Sequence, residues 1–190
     1  MTSPSKKSDL KQVVSLHQKV LPHTLNSQIG PRFLTHLYQN IFNNDFSQLL
    51  LKKQNNTIIG FLSTTEDLHL LDKIIQSQSG IRIQILAHLV THPHHSLNLL
   101  KKVLFSRFLK RNFPGKRAWI LTLGVHPKFK RHGVGKTLIQ QIVTDYRNKG
   151  IEVIYVDTEI GNHHAINFYH ALSFTSIDRY LGNLILKKII

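Results

Sequence analysis

Near the N-terminus apolar residues recur at helical spacing: Leu10, Val13, Val14 and Leu16, with Val20 beyond, until Leu21-Pro22 breaks the pattern. A second run follows Gly30-Pro31, with Phe33, Leu34, Leu37, Tyr38 and Ile41 on one side, and ends at Asn43-Asn44-Asp45. Both read as amphipathic helices that precede any strand. The pattern then turns β-rich over residues 47–52 and 57–64, which flank Gln54-Asn55-Asn56 and predict an antiparallel hairpin. Two helical-looking runs lie between about 68 and 90, broken near Gln78-Ser79-Gly80, and His92-Pro93 punctuates the chain after them. Residues 98–113 form a basic amphipathic pattern that Pro114-Gly115 terminates. The last third is the most regular: a strand over 118–125, a helix over 133–148, a strand over 151–158 and a helix over 162–172. Strands over 174–180 and 183–188 then turn at Leu181-Gly182. There is no internal repeat. The order is mixed α/β, with a βαβα unit at the C-terminal end.

At 190 residues the chain has the length of one domain, here 1–190, with a polar stretch over 1–7 expected to be a disordered tail. No cysteine is present, which excludes disulfides, thiolate zinc sites and a cysteine nucleophile, and fits a reducing cytoplasm. No segment stays apolar for the roughly 20 residues a membrane-spanning helix needs. The formal charge of +15 changes the picture more. Residues 101–150 hold 13 Lys and Arg against the single acid Asp145, so an anionic partner is expected there. A phosphorylated cofactor, a nucleotide-linked substrate, RNA and an anionic membrane are all candidates, with a merely solvated face as the bland reading.

The basic stretch contains VHPKFKRHGVGK over residues 125–136, at the junction of a strand and a helix. Pro127 stops the sheet ladder, and Lys128, Lys130, Arg131 and His132 lead into Gly133-Val134-Gly135-Lys136 at a helix start. Unpaired amides and the dipole of a first helical turn favour a phosphate. A Walker A loop fails because Lys130 occupies the place of its first glycine, and a dinucleotide fingerprint fails because Leu138 occupies the place of its third. The remaining template is the pyrophosphate loop of acyl-CoA enzymes, [QR]-x-x-G-x-[GA] after V-x-P, matched here by Val125-x-Pro127 and Lys130-x-x-Gly133-x-Gly135.

On these residues the chain resembles the GNAT acyl-CoA N-acyltransferase superfamily. A second segment, Asn162-x-x-Ala165-x-x-Phe168-Tyr169-x-x-x-x-Phe174, resembles the family's N-x-x-A-x-x-F-Y-x-x-x-G-F, with Ser173 in place of the glycine. The resemblance implies an α+β fold with a mixed, mostly antiparallel central sheet flanked by helices and splayed where the acyl-CoA arm enters. It implies an acetyl-CoA-dependent N-acetyltransferase. The amides of Arg131, His132, Gly133, Val134, Gly135 and Lys136, beside Lys130, would hold the CoA pyrophosphate. Leu123, Gly124 and Val125 would pair with the pantetheine arm, and Asn162 would meet it as well as capping its helix. Tyr169 would be the general acid toward the leaving thiolate; its competing reading is a core aromatic.

The family's usual strand carboxylate is missing, since 118–124 reads AWILTLG. Glu159 is the first choice of general base, followed by His163 and His126, with Asp157 the other nearby carboxylate. The expected acceptor is an amine-bearing small molecule, with an acidic one, such as a sugar nucleotide, suggested by the charge. A non-catalytic acyl-CoA-binding module and an RNA-associated acyltransferase are the alternatives, and the oligomeric state stays open between monomer and homodimer. Thirteen histidines include His92-x-His94-His95 and His163-His164, but no carboxylate stands at ligand spacing in the first cluster, and no metal is expected.

Overall fold

A computed structural model describes residues 2–67 and 115–190, together with 70, 85, 87, 90, 91 and 108 between them. The helical patterns expected over 68–90 and 98–113 therefore lie largely outside the described residues, as does the cluster His92, His94 and His95.

Among the described residues, seven strands form one sheet in the order β1-β2-β3-β4-β5-β7-β6. They are β1 (Thr2–Pro4), β2 (Ser47–Gln54), β3 (Thr57–Thr65), β4 (Arg117–Val125), β5 (Val153–Glu159), β6 (Thr175–Tyr180) and β7 (Asn183–Ile189). Every neighbouring pair is antiparallel except β4 with β5. The mixed, mostly antiparallel sheet thus has its one parallel pair in the middle. Thr2–Pro4, inside the stretch read from sequence as a tail, pairs with Lys52–Leu50 as an edge strand ahead of the first helix.

The helices, numbered over the described residues, are α1 (Leu10–Val20), α2 (Leu25–Ile29), α3 (Pro31–Asn43), α4 (Val134–Asn148) and α5 (His163–His170). The short α2 was not foreseen; Thr24 caps it, its hydroxyl accepting the Ser27 N–H at 3.4 Å. Strand alternation sorts side chains into two layers. Leu49, Leu51 and Phe61 pack with α1, α2 and α3 on one face. Leu50, Leu62, Ile120, Ile154, Val156 and Leu186 pack with α4 and α5 on the other. Trp119 and Tyr155 stack at 5.1 Å and continue the first face beyond β4.

Two turns use the left-handed backbone that tight hairpins require. Asn55 and Asn56 join β2 to β3 at φ 48° and 59°, and Leu181 with Gly182 joins β6 to β7 at 51° and 89°. Ser173, the residue in the glycine position of the second motif, adopts φ 63°. The turn is therefore made with a strained L residue, at a cost of roughly 1–2 kcal/mol.

The feature that positions the site is a bulge in β4. Ser63 faces Thr122 and Thr64 faces Ile120, leaving Leu121 as the extra residue. A bulge bends its strand and sharpens the twist. The pairing of β4 with β5 runs from Arg117 opposite Val153 to Ile120 opposite Val156 and stops there. Beyond that point β4 continues on β3 to Val125, while β5 continues on β7 to Glu159. The two central strands diverge from Leu121 onward.

Candidate active site

Among the described residues, the β5-facing backbone of residues 121–125 has no strand partner. Such an edge at the centre of a sheet can pair with an extended ligand as if the ligand were another strand. Leu123 and Val125 pack toward α4, while Gly124 lies on the α1 side. A Cβ on Gly124 would stand 2.4 Å from the Phe61 ring and 3.0 Å from Val20, so only glycine lets β4 pass this close to α1 and Phe61.

At the end of β4 the chain enters a 3₁₀ turn, Pro127–Phe129, and an exposed loop carrying Lys128, Lys130, Arg131 and His132. Arg131 and Gly133 both take positive φ, 65° and 75°, folding the loop back onto the first turn of α4. The first amide bonded within α4 belongs to Thr137, donating to the Gly133 carbonyl at 2.9 Å. Those of Val134, Gly135 and Lys136 therefore point outward, as in the first turn of any helix. His132 departs from the expected set of holding amides. Its N–H already donates to the Phe129 carbonyl at 3.4 Å, and its ring Nδ1 lies 2.8 Å from the Lys130 carbonyl. That leaves Arg131, Gly133, Val134, Gly135 and Lys136 as the open amides of this loop among the described residues.

The turn is held rigidly from below. Val134 is buried and sits where a Cβ on Gly60 would come within 2.5 Å; a Cβ on Gly135 would stand 3.1 Å from Phe168. β3 and α5 thus clamp the helix start from two sides. Open amides, helix dipole and the surrounding cations together can hold an anionic group without reorganising.

On the far side of the gap, Asn162 caps α5, its Oδ1 accepting the Ala165 N–H at 3.1 Å. Tyr169, on the same helix, is 6 % exposed, with its ring edge-on to Phe168 and Phe174. Burial pushes its phenol well above the usual tyrosine range, and the nearby Asp157 carboxylate pushes the same way. Tyr169 is therefore both a core aromatic and a neutral hydroxyl donor.

The base candidates are scattered. Glu159 is exposed at the last residue of β5. Asp157 is engaged structurally: Trp119 Nε1 donates to it at 3.1 Å and Asn183 Nδ2 at 3.2 Å. His163 starts α5 and lines a cleft of about 600 Å³ between that helix and β6, together with His170 and Asp178. The Lys128 N–H donates to His126 Nδ1 at 3.3 Å, and Lys19 Nζ lies 2.9 Å from its Nε2. Partial desolvation, then the Lys19 and Lys128 charges, hold its pKa below the ordinary histidine value.

The α1–α3 face holds a group of polar residues that the sequence reading did not single out. Tyr38 Oη lies 2.6 Å from His17 Nδ1, and His17 Nε2 lies 3.4 Å from Thr24 Oγ1. Burial raises the pKa of the Tyr38 phenol far above normal, and the neighbouring Thr122 hydroxyl on β4 partly offsets the rise. His17, a polar residue inside the apolar run of α1, was the available signal, but its partner Tyr38 is distant in sequence.

Comparisons with known proteins fit this geometry. The sequence profile of the Acetyltransferase (GNAT) family matches residues 12–174. No curated protein matches the chain. Among solved structures, PaiA N-acetyltransferase from Thermoplasma acidophilum in complex with coenzyme A superposes at TM-score 0.65 and 13% identity, covering 100% of this chain and 98% of that one. The ribosomal-protein-S18-alanine N-acetyltransferase from Escherichia coli gives 0.63 at 13% identity, covering 100% and 93%. YncA from Salmonella typhimurium, solved with its cofactor acetyl-CoA, gives 0.60 at 15% identity, covering 100% and 92%. At these identities the likeness is one of fold. Among the described residues no helix is long and apolar enough to cross a membrane, and no three His, Asp or Glu side chains gather as a metal site would require.

Proposed function

The chain belongs to the GNAT acetyltransferase family, and we propose on that premise that it transfers an acetyl group from acetyl-CoA to an acceptor amine by direct attack on the thioester. The observation that carries this reading is the juxtaposition of the unpaired β4 edge, opening at the Leu121 bulge, with the open amides of α4. The spacing suits a donor that is extended at one end and anionic at the other. In this reading Arg131, Gly133, Val134, Gly135 and Lys136 hold the pyrophosphate through their amides, with the Lys130 and Arg131 side chains adding charge. Leu123, Gly124 and Val125 pair with the pantetheine arm across the gap from Asn162, whose side-chain amide N–H₂ is left for the arm while its oxygen caps α5.

In the reaction the amine nitrogen bonds to the acetyl carbon and the carbon–sulfur bond breaks. Tyr169 donates to the departing thiolate sulfur. With its phenol pushed above the ordinary range, it serves better as a hydrogen-bond donor than as a full proton donor. Glu159 is the carboxylate proposed to take the proton released by the amine. The acceptor reaches the thioester from the α1–α3 face, because the donor occupies the α4 side. A primary amine on a small molecule is the proposed acceptor class, with anionic groups favoured by the +15 charge.

The test has two stages. Acetyl-CoA should raise the melting temperature where ATP and NAD do not. Stabilisation by either nucleotide but not by acetyl-CoA would sink the reading. Thiol release from acetyl-CoA with an alanyl peptide, a polyamine and an amino sugar then separates an enzyme from a module that binds acyl-CoA without consuming it.

A further inference from the structure

A second opening lies further along the sheet, over β7 and β6 rather than between β4 and β5. It is the cleft of about 600 Å³ beside α5, a volume within the range of small-ligand sites. One wall is helical. His163, Ile166 and His170 recur at i, i+3 and i+7, so they share one stripe of α5, and all three line the cleft. Phe168 projects close to the opposite side of the helix, toward Gly135 at the start of α4. The cleft and the glycine loop therefore lie on different sides of α5.

The other wall depends on a bulge. β6 pairs Ser176 with Leu186, Asp178 with Ile185 and Arg179 with Leu184, leaving Ile177 as the extra residue. In a regular strand, residues three apart face opposite ways. Here the bulge brings Ser176 and Arg179 onto one face, that of Leu184, Leu186 and α5. Ile177 packs toward Trp119 and Tyr155 on the other face, where Ile185, the partner of Asp178, also lies. His170 Nε2 stands 2.9 Å from Ser176 Oγ and ties helix to strand across the cleft. The Asp178 carboxylate accepts the Arg179 backbone N–H at 2.7 Å. Among the described residues the Arg179 guanidinium has no hydrogen-bond or ion-pair partner, although it lines the cleft.

A planar guanidinium grips a carboxylate or a phosphate through paired N–H donors. The Asp178 carboxylate on the adjacent residue favours a monoanion over a dianion. Ile160, Ile166 and Leu184 offer aliphatic surface beside the cation, which suits a hydrocarbon body. We infer that the cleft between α5 and β6 is a second ligand site, taking a small carboxylate with an aliphatic body. The Arg179 guanidinium donates to the carboxylate, and the three aliphatic side chains cover the hydrocarbon. The site is separate from the acetyl-CoA gap and holds its ligand alongside the donor.

NMR titration of the full chain with isocaproate at fixed pH tests this, following the imidazole signals of His163 and His170. Both should shift saturably, and saturating acetyl-CoA should leave the titration unchanged. Arg179→Ala should weaken binding about tenfold, with Arg179→Lys between it and wild type. Ile160→Ala should weaken it about threefold. Both positions are exposed, so neither substitution threatens the fold. Isocaproamide, which keeps the body without the charge, and inorganic phosphate, which lacks the body, should each bind about tenfold more weakly or worse. Unshifted His163 and His170 signals, undiminished binding in Arg179→Ala, displacement by acetyl-CoA, or phosphate binding as tightly as isocaproate overturns the inference. None of these results bears on acetyl transfer, which the acetyl-CoA thermal shift and thiol release read separately.

Discussion

The two faces of the sheet handle their polar groups in opposite ways. On the α4 face, the uncommitted groups are backbone amides at an exposed helix start, surrounded by Lys and Arg and held by the close packing of Val134 and Gly135. On the α1–α3 face the polar groups are side-chain hydroxyls and an imidazole, bonded to one another from Thr24 through His17 to Tyr38. A phosphate is recognised by almost any array of amides and positive charge, so the first face can be built from a short contiguous loop. The second set instead needs groups from separate elements, His17 on α1, Thr24 capping α2 and Tyr38 on α3.

The sharpest test of the contrast is at Tyr169, the proposed donor to the leaving thiolate. Tyr169→Phe should lower kcat by about 10²-fold with acetyl-CoA affinity nearly unchanged, read by thiol release and calorimetry. Gly124→Ala should come next, since its Cβ drives into the Phe61 ring, which stacks on His17 and meets Tyr38 edge-on. Chemical denaturation should show a loss of about 1–3 kcal/mol, the usual cost of overpacking a core.

Asp9 tests how far the α1–α3 face depends on its anchor. Its carboxylate accepts from Lys53 Nζ at 2.7 Å and from the Lys6 N–H at 2.9 Å. Burial opposes the charge, but these contacts outweigh it and hold the pKa below the ordinary value. The resulting stability is present above the unfolded pKa of about 3.9 and is lost as pH falls through the lower folded value. Asp9→Asn should therefore cost about 1–2 kcal/mol at neutral pH, and the difference from wild type should vanish in acid melts.

On the α4 face, Lys130→Ala should weaken acetyl-CoA binding only about threefold, and less in high salt, if backbone amides are the main holding groups. A loss of a hundredfold would show that the side chain, not the loop backbone, does the holding. The smallest effect has the opposite sign: Ser173→Gly relieves the φ of 63° and should raise stability by about 0.5–1 kcal/mol.

Legibility from sequence follows the same division. The C-terminal elements fell close to their expected places because each is local: Gly133 opens α4, Asn162 caps α5, and Leu181-Gly182 turns the last hairpin. The glycine motif could be matched for a related reason, since a helix start and its amides are specified within about ten residues. Some details of the loop were not legible. That the His132 amide is spent on Phe129 depends on how Pro127 and Arg131 bend the chain. The bulge at Leu121 was also hidden, because AWILTLG reads as an unbroken strand until the register of β3 shows the extra residue.

What the sequence by itself determined, then, is the family and the glycine loop that opens α4, because both are written in contiguous residues whose local conformation needs few outside contacts. Only the tertiary structure decided where β4 leaves β5, and that His17 and Tyr38 meet. Those two residues lie on separate helices, and their hydrogen bond exists only once the α1–α3 layer has packed against the sheet.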